Sequence, residues 1–379
     1  ATLTAKVTPE TADNQNVTWS VDNETFASID EQTGVLTGIV PDKTVTVTVT
    51  TEDGNFTDSV QVPVSYTALV LEATWLGSGS DDGFVFATDS AGPVSVEIRN
   101  VNGEPYAGES ACSSASVAVV SDGASEDYFE DGTGVSNVPF DELLTSEYDS
   151  FNTTPSVIEV DNAFLDTCLG STLGGAGEAY RLFVFDEDLT QVGVPKYGWN
   201  GAPSSASEIT KVVSWGRNKL QAINVLATTS GSSSLETVPT YLPPTVTALR
   251  GTFAETDGVT GYESWNTSNV AVMRGVFLSA SNVQDLGNWN VSSVVSFERM
   301  FLGVTTEVSG LDSWTTSSVK DVRGLFRNYP FNPDVTNWSV GNVERFDNIF
   351  AYSSFDRAIE GWDVSSAVNM TNMFTGTPF

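Results

Sequence analysis

The chain of 379 residues is long enough for two or three domains. Its 16 Lys and Arg against 49 Asp and Glu give a net charge of −33, which disfavours nucleic acids and anionic membrane surfaces as partners through repulsion. Histidine is absent, which excludes Ser-His-Asp and Cys-His nucleophiles and His-ligated zinc. No apolar run approaches the roughly 18 residues of a membrane span, so we expect no direct membrane insertion and targeting segments outside this fragment.

The first 67 residues alternate apolar and polar side chains with period two. The alternation is clearest in "TVTVTVT" (44–50) and "SVQVPVSY" (59–66). Thr-Gly, Pro-Asp and Asp-Gly turn signals interrupt it. Short strands at this spacing predict a β-sandwich for residues 1–67.

The same segment resembles the bacterial Ig-like domain of group 2. The resemblance is carried by "VTWS" (17–20), "ASID" (27–30), "TGVLTGI" (33–39) and "VTVTVTTEDG" (45–54). The small-residue turn that the family places before its last long strand is replaced here by Asp42-Lys43-Thr44, a minor departure. The resemblance implies a spacer module of a surface protein, and we expect no binding site in it.

Strand-like runs recur through residues 68–208, which we expect to form a separate domain. They include "ALVLEATW", "GFVFATD", "VSVEIRN" and "YRLFVFDED", separated by Gly-, Ser- and Asp-rich connections. The pattern predicts a second β-sandwich-like domain with no recognised family and one short helix in "VPFDELLTSEYDSF". This segment carries most of the excess acid of the chain.

Acidic loops in this middle domain hold the only candidate metal ligands. Ca²⁺ prefers six to eight oxygens from carboxylates and carbonyls, which flexible Gly-containing loops can supply. The candidates are Asp122, Glu126, Asp127, Glu130 and Asp131, with Asp81, Asp82, Asp186 and Asp188 in two further loops. None has EF-hand spacing, so a solvated acidic loop that keeps the protein soluble stays open as the alternative. No cofactor other than Ca²⁺ is indicated.

The C-terminal part repeats itself every 24 or 25 residues. Tryptophans recur at Trp265, Trp289, Trp314, Trp338 and Trp362. Phenylalanine follows each of them twelve positions later, at Phe277, Phe301, Phe326, Phe350 and Phe374. Self-similarity at a fixed period predicts stacked units, each of which buries a face on the next.

These tryptophans are either core residues or sugar-stacking aromatics, and their fixed register favours the core. The order apolar-x-x-Trp-x-Val indicates a strand in which the Trp and the residue two later point inward. Residues one before, one after and three after the Trp then face outward on a concave surface, and they are the candidate ligand-binding residues. They are Ser264, Asn266, Ser268, Asn288, Asn290, Ser292, Ser313, Thr315, Ser317, Asn337, Ser339 and Asp363, with Gly341, Gly361 and Ser365 in the remaining places.

The unit "DLGNWNVSSVVSFERMF" resembles the bacterial surface protein (BspA-like) leucine-rich repeat. "SLETVPTYLPPTVTALRGTF" resembles the entry unit of that family and "ITKVVSWGRNKLQAI" its cap, so the resemblance covers roughly 209–379. The "FNQDL" that is usual in the family survives only as "VQDL". The resemblance implies a leucine-rich-repeat solenoid, and hence a mainly β, multidomain chain from the bacterial cell surface. Because the chain stops before a sixth strand, we expect a monomeric fragment of a larger protein.

The two cysteines, Cys112 and Cys168, are the only ones in the chain. In an acidic, strand-rich chain with bacterial surface repeats they are most simply interpreted as one disulfide formed outside the cytoplasm. Such a bridge would stabilise the fold by roughly 4 kcal/mol in the chain-entropy model. Two separate buried thiols are the alternative.

Three classes of function fit these features. The first, which we favour, is the ligand-binding region of an extracellular adhesin whose partner is a host or microbial surface protein or glycan. The second is a structural stalk or biofilm-matrix module without a specific ligand. The third is a glycosidase with two carboxylates, for which Trp75 and Trp199 could stack a sugar, although a sandwich core explains them better. We therefore expect no enzyme.

Overall fold

The computed structural model divides the chain into two compact units, Ala1–Thr67 and Ala68–Phe379. The described residues are almost entirely strand and turn. They are 2–9, 12–24, 26–38, 43–64, 68–74, 84–88, 94–103, 115–117, 119–120, 156–160, 169, 179–186, 188–193, 208–216, 218–224, 226 and 234–379. The predicted mainly β fold class is confirmed over these residues, whereas the predicted helix in "VPFDELLTSEYDSF" lies outside them.

The N-terminal unit contains two small antiparallel sheets. Its strands are β1 (Val17–Val21), β2 (Ala27–Ile29), β3 (Leu36–Gly38), β4 (Lys43–Thr51) and β5 (Thr57–Val64). The order β1-β4-β5 forms one sheet, and β2 pairs with β3 in the other. Alternate residues of the strands point inward, because successive side chains of a strand face opposite sides. They form a small core with Trp19, Ala27, Leu36, Val45 and Val47 buried.

The second unit begins with two larger sheets. Its strands are β6 (Leu69–Thr74), β7 (Phe84–Thr88), β8 (Val94–Arg99), β9 (Ala115–Val117), β10 (Val119–Val120), β11 (Ser156–Val160), β12 (Ala179–Phe185), β13 (Leu189–Gly193), β14 (Glu208–Ser214), β15 (Ala222–Ile223), β16 (Ala248–Arg250) and β17 (Val272–Arg274). One sheet is antiparallel with the order β14-β6-β12-β8-β9. The other has the order β10-β11-β7-β13-β15-β16-β17 and turns from antiparallel to parallel at β13.

The second sheet connects the middle segment to the repeats. Strand β13 pairs in parallel with β15, and β15 with β16, so the ladder of the repeats starts on a strand of the middle segment. Strand β14 pairs with β6, so the expected boundary near 208 falls inside one unit. One continuous apolar core runs from Leu69 to Met373. The middle segment therefore covers the N-terminal end of the stacked repeats.

The C-terminal units form a parallel ladder in one register. Bridges join the residues seven positions after each Trp, namely Val272, Ser296, Asp321, Arg345 and Asn369. Four alternate N–H groups per unit also donate to carbonyls of the next unit. In the unit of Trp265 these donors are Met273, Gly275, Phe277 and Ser279, with N···O distances of 2.8–3.0 Å.

The segment around each Trp consists of turns, so the predicted strand register is wrong. In the second unit, Trp289 N–H donates to Leu286 O (3.0 Å) and Val294 N–H to Val291 O (3.0 Å), and each bond closes a turn. The parallel strand follows seven residues after the Trp. Small polar residues favour tight turns through their own side-chain hydrogen bonds, which explains the difference. In two units a 3-10 turn precedes the Trp, at Tyr262–Ser264 and Leu311–Ser313.

Two left-handed backbone positions recur in each unit, ten and fourteen residues after the Trp. The first is occupied by Gly275, Arg299, Gly324, Asn348 and Asn372, all with φ between 55° and 59°. Glycine and asparagine tolerate this region best. The bend after the strand turns the chain so that the next apolar pair, eleven and twelve residues after the Trp, enters the core.

Candidate binding surface

The tryptophans are core residues, as their fixed register predicts. In the first four units they are 1–5 % exposed. Trp265 stacks on Trp289 at 6.4 Å between ring centroids, and Trp314 on Trp338 at 6.0 Å. Each indole N–H also donates to a carbonyl of the preceding unit, as in Trp289 Nε1 to Tyr262 O (3.0 Å). A buried, bonded indole cannot stack a sugar from solvent.

The residues one before, one after and three after each Trp lie at the surface, and we call them the Trp-flanking row. In the first four units the residues between them are buried, whereas Val364 in the last unit is 38 % exposed. Between them, Thr267, Val291, Thr316 and Val340 are at most 3 % exposed. Most members of the row are exposed, and Ser268, Ser292 and Gly341 are half-buried. Because the backbone here forms turns, the row borders the parallel ladder and is not part of its strands.

Several members of the row use their side chains to hold the turn. Asn290 Oδ1 accepts hydrogen bonds from Ser292 N–H (3.1 Å) and from its hydroxyl (2.7 Å). Asn266 makes the corresponding bond with Ser268 N–H at 3.2 Å. In the last unit Ser365 donates to Asp363, which holds the pKa of that carboxyl below its usual range. These are Asx turns, the arrangement that asparagine and aspartate favour locally.

Neighbouring units are also joined side chain to backbone beside the row. The residue four after each Trp donates to a carbonyl of the preceding unit, and from the second Trp unit onward this is the carbonyl three after the preceding Trp. These bonds run from Asn269 to Pro244 (2.9 Å), Ser293 to Ser268 (2.8 Å), Ser318 to Ser292 (2.6 Å), Asn342 to Ser317 (2.8 Å) and Ser366 to Gly341 (2.6 Å). These polar positions are visible in the sequence, but the sequence does not reveal that their side chains form hydrogen bonds between neighbouring units.

The side chains of Asn288, Thr315, Asn337 and Ser339 make no hydrogen bond within the described residues, and all four are exposed. They lie in three successive units, Asn288 and Asn337 directly before their Trp and Thr315 and Ser339 directly after it. Their amides and hydroxyls are therefore available to a ligand without disturbing a turn.

A buried charged cluster lies on the face of the ladder opposite the apolar core, and sequence reasoning missed it. Glu298 Oε2 accepts Arg274 Nη2 (2.6 Å) and Arg323 Nη2 (2.9 Å). Arg323 also pairs with Asp321 at 2.8 Å. The side chains of Arg274, Glu298 and Asp321 are 0 % exposed. The sequence feature that could have revealed the cluster is a charged residue nine positions after the Trp in four successive units. These residues are Arg274, Glu298, Arg323 and Asp347.

The electrostatics of this cluster differ from group to group. Burial alone would lower the pKa of Arg323, but hydrogen bonds to Asp321 and the nearby charges of Glu298 and Asp347 raise it above its usual value. Burial raises the pKa of Asp347, against the opposing charges of Arg323 and Arg345. Oδ2 of Asp347 is buried without a hydrogen-bond partner among the described residues. Glu298 and Asp321 are therefore bonded to arginine side chains, whereas the buried Oδ2 of Asp347 is not.

We expect Asp347→Asn to raise the free energy of unfolding at neutral pH and to leave it nearly unchanged in acid. A folded-state pKa above the unfolded value means that the protonated form is favoured on folding, so stability is lost as pH rises through that interval. Denaturant unfolding of both proteins across the carboxyl titration range measures this difference.

Asp257→Asn is the matched control, for which we expect the opposite change in stability at neutral pH. Ser281 and Asn282 donate to the Asp257 carboxylate and lower its pKa, so its contribution is present above the unfolded pKa and is lost as pH falls. Asp257→Asn should therefore lower stability at neutral pH. The same pH dependence in both variants would contradict the assignment.

The remaining predicted sites lie mostly outside the described residues. These are the calcium candidates Asp122, Glu126, Asp127, Glu130, Asp131, Asp81 and Asp82, the cysteines Cys112 and Cys168, and the two tryptophans Trp75 and Trp199. Asp186 and Asp188 are described: Asp188 N–H donates to Asp186 Oδ1 (2.9 Å), and Asp188 pairs with Lys219 at 2.6 Å. Within the described part of the chain, no group of three or more acidic or Cys residues is placed to hold a metal ion.

Comparison with known proteins identifies two families within the chain. Residues 1–62 match the bacterial Ig-like domain (group 2), so the N-terminal unit contains a domain of that family. Residues 247–351 and 302–378 match a family described as "Mycoplasma protein of unknown function, DUF285". These overlapping matches cover the repeated units. Neither the curated proteins nor the solved structures compared with the chain give a match.

The two families indicate a region of a surface protein. The resemblance to a group 2 Ig-like domain is confirmed, and the BspA-like assignment of the repeats stays a prediction. Among the described residues, no helix has the length and hydropathy needed to cross a membrane.

Proposed function

We propose that this chain is the ligand-binding region of an extracellular bacterial surface adhesin, with its repeats forming a leucine-rich-repeat solenoid of the BspA-like kind. The Trp-flanking row is its contact face. The observation that carries the proposal is the exposure of small hydrogen-bonding side chains at the same places in successive units. The Ig-like domain supports it, since a spacer would hold this face away from the cell.

A periodic row suits a periodic ligand. Backbones of paired strands lie roughly 4.8 Å apart, so equivalent side chains of successive units recur at about that spacing. An extended peptide or a glycan chain from a host or microbial surface offers acceptors and donors in comparable repetition. Each hydrogen bond contributes about 1 kcal/mol net, so affinity depends on many units acting together or on multivalent display.

A structural stalk without a specific ligand is the second candidate. It is favoured by the hydrogen bonds that Asn266, Asn290 and Asp363 make within their own turns, because small polar residues are needed there whether or not a ligand binds. The side chains of Asn288 and Asn337 make no such hydrogen bond within the described residues. Substituting them therefore distinguishes a ligand-binding face from a structural stalk.

We expect the double variant Asn288→Arg/Asn337→Arg to lose binding to glycan arrays and to microbial or host cells, with an unchanged melting temperature. Both side chains are exposed and free of hydrogen bonds within the described residues, so the substitution alters the surface without removing a turn. Two bulky cations in the row would block a ligand that follows it. Binding of the full chain and both variants is compared on the same arrays and cells.

The matched control is Thr305→Arg/Ser354→Arg. Both residues are exposed, lie sixteen positions after a Trp in the same two units, and give the same charge change outside the row. This variant should bind as the wild type does. Unchanged binding by the folded Asn288→Arg/Asn337→Arg chain rejects the row as the contact face, and a wild-type chain without any binding favours the stalk.

A further inference from the structure

The repeats contain Asn-x-Ser/Thr triplets at fixed places beside the tryptophans. Asn266-Thr267-Ser268 and Asn290-Val291-Ser292 start one residue after a Trp, and Asn337-Trp338-Ser339 starts one residue before. This triplet is the acceptor pattern for N-linked sugars, and acceptors lie on exposed loops of exported proteins. The pattern alone occurs often by chance, and the position of each amide in the structure distinguishes accessible acceptors from inaccessible ones.

The acceptor nitrogens of these triplets make no hydrogen bond within the described residues, whereas two other asparagines beside the tryptophans, Asn269 and Asn342, use theirs. Nδ2 of Asn269 donates to Pro244 O (2.9 Å) and Nδ2 of Asn342 to Ser317 O (2.8 Å), which joins the units. Asn266 and Asn290 bond only through Oδ1. Their Nδ2 atoms, and that of Asn337, make no hydrogen bond within the described residues.

In the triplet of Asn290 the side-chain geometry also brings the hydroxyl to the asparagine. Ser292 Oγ donates to Asn290 Oδ1 at 2.7 Å, which polarises the amide and leaves Nδ2 pointing away from this contact. All three asparagines are exposed, so a bound sugar extends into solvent without displacing core residues. The middle residues Thr267, Val291 and Trp338 stay buried and anchor the loop.

A fourth triplet shows what an unsuitable site looks like. Asn369-Met370-Thr371 lies in the parallel ladder, where Asn369 N–H donates to Glu344 O (3.1 Å) and its carbonyl accepts Phe346 N–H (2.8 Å). Its side chain is half-buried. Because its backbone N–H and carbonyl are both hydrogen-bonded to the neighbouring unit, this segment cannot leave the ladder to bind in the active site of a glycosyltransferase.

We propose that Asn266, Asn290 and Asn337 are N-glycosylation sites, modified by an asparagine-directed glycosyltransferase that uses a sugar diphosphate donor. Nδ2 forms a bond to the anomeric carbon of the sugar. The bond from that carbon to the diphosphate oxygen breaks, the electron pair leaves with the diphosphate, and one Nδ2 proton passes to a base. Sugars at these positions would project from the Trp-flanking row. The proposal stands whether or not that row binds a ligand.

The experiment is site mapping by mass spectrometry on the full chain, made in two ways. In one arm the chain is exported through a membrane that carries a lipid-diphosphate oligosaccharide and its transferase. In the other it is expressed with a soluble N-glycosyltransferase and a nucleotide diphosphate hexose. We expect occupancy at the three asparagines in at least one arm, which also identifies the kind of donor, and background at Asn288, an exposed asparagine outside any triplet.

Ser292→Ala supplies the decisive variant. It keeps Asn290 and the hydrogen bond from the backbone N–H of residue 292 but removes the hydroxyl, so occupancy at Asn290 should fall to background while Asn266 stays modified. Ser292→Thr should restore it, and circular dichroism checks that both variants fold. Unmodified asparagines in both arms, equal occupancy at Asn288, or a Ser292→Ala chain still modified at Asn290 would each overturn the proposal.

Discussion

Trp289→Ala should lower the free energy of unfolding by about 3–5 kcal/mol, the range for removing a large buried aromatic. Trp289 is 3 % exposed and contacts Trp265, Phe277 and Tyr262 at 5.8–6.4 Å between ring centroids. Its indole also bonds the preceding unit. Because each unit packs mainly on its neighbours, the loss should open the stack on the C-terminal side of the cavity first. Denaturant unfolding combined with amide hydrogen exchange measures both effects.

Two further variants separate packing from the hydrogen bond and from position. Trp289→Phe keeps most of the ring contact, and Tyr262 O keeps its bond from Trp265 N–H, so we expect a cost of about 1–2 kcal/mol. Trp362→Ala removes the same residue from the last unit, where it is only half-buried, and should cost clearly less than Trp289→Ala. Equal losses at the two positions would show that stacking between units is not the source of stability.

The sequence predicts the stacking of these units better than it predicts their backbone. Period and apolar register identify Trp289 and Phe301 as core, because only a residue buried in every unit must recur at a fixed place. The alternation of buried and exposed residues around Trp289 is also correct. This alternation predicts a strand, but over five residues two consecutive turns give the same alternation. The pattern therefore cannot distinguish the two structures. The left-handed position ten after the Trp could have located the bend, but Arg299 interrupts its glycine pattern.

Contacts between distant segments account for the other differences. A boundary near 208 follows from composition, yet β14 pairs with β6 over a long sequence separation that no local pattern reveals. The charged cluster was missed because Arg and Glu are ordinarily exposed. Only the parallel register places Arg274, Glu298 and Arg323 side by side. The free amides of the Trp-flanking row likewise depend on which asparagines the turns already use.

Glu298→Gln should cost about 3–5 kcal/mol of stability, the range for breaking a buried ion pair from one side. The substitution preserves size but removes the carboxylate that accepts two hydrogen bonds from Arg274, and Arg323 loses one of its two bonded carboxylates. With the side chains of Arg274 and Glu298 0 % exposed, water cannot replace the lost charge. The pair of Lys320 and Glu344, whose side chains are 44 % and 36 % exposed, gives the control, and Glu344→Gln should cost less than about 1 kcal/mol.

The double variant Arg274→Met/Glu298→Met tests whether the cost comes from the charge left behind. When both partners are replaced by apolar side chains of similar length, Arg274 is not left buried without its carboxylate, and Arg323 keeps its pair with Asp321. The penalty should therefore be smaller than that of Glu298→Gln alone. A double variant at least as unstable as the single one would instead make the pair itself a source of stability. The cluster would then hold adjacent units together energetically, beyond selecting the register in which Ser296 pairs with Val272 and Asp321.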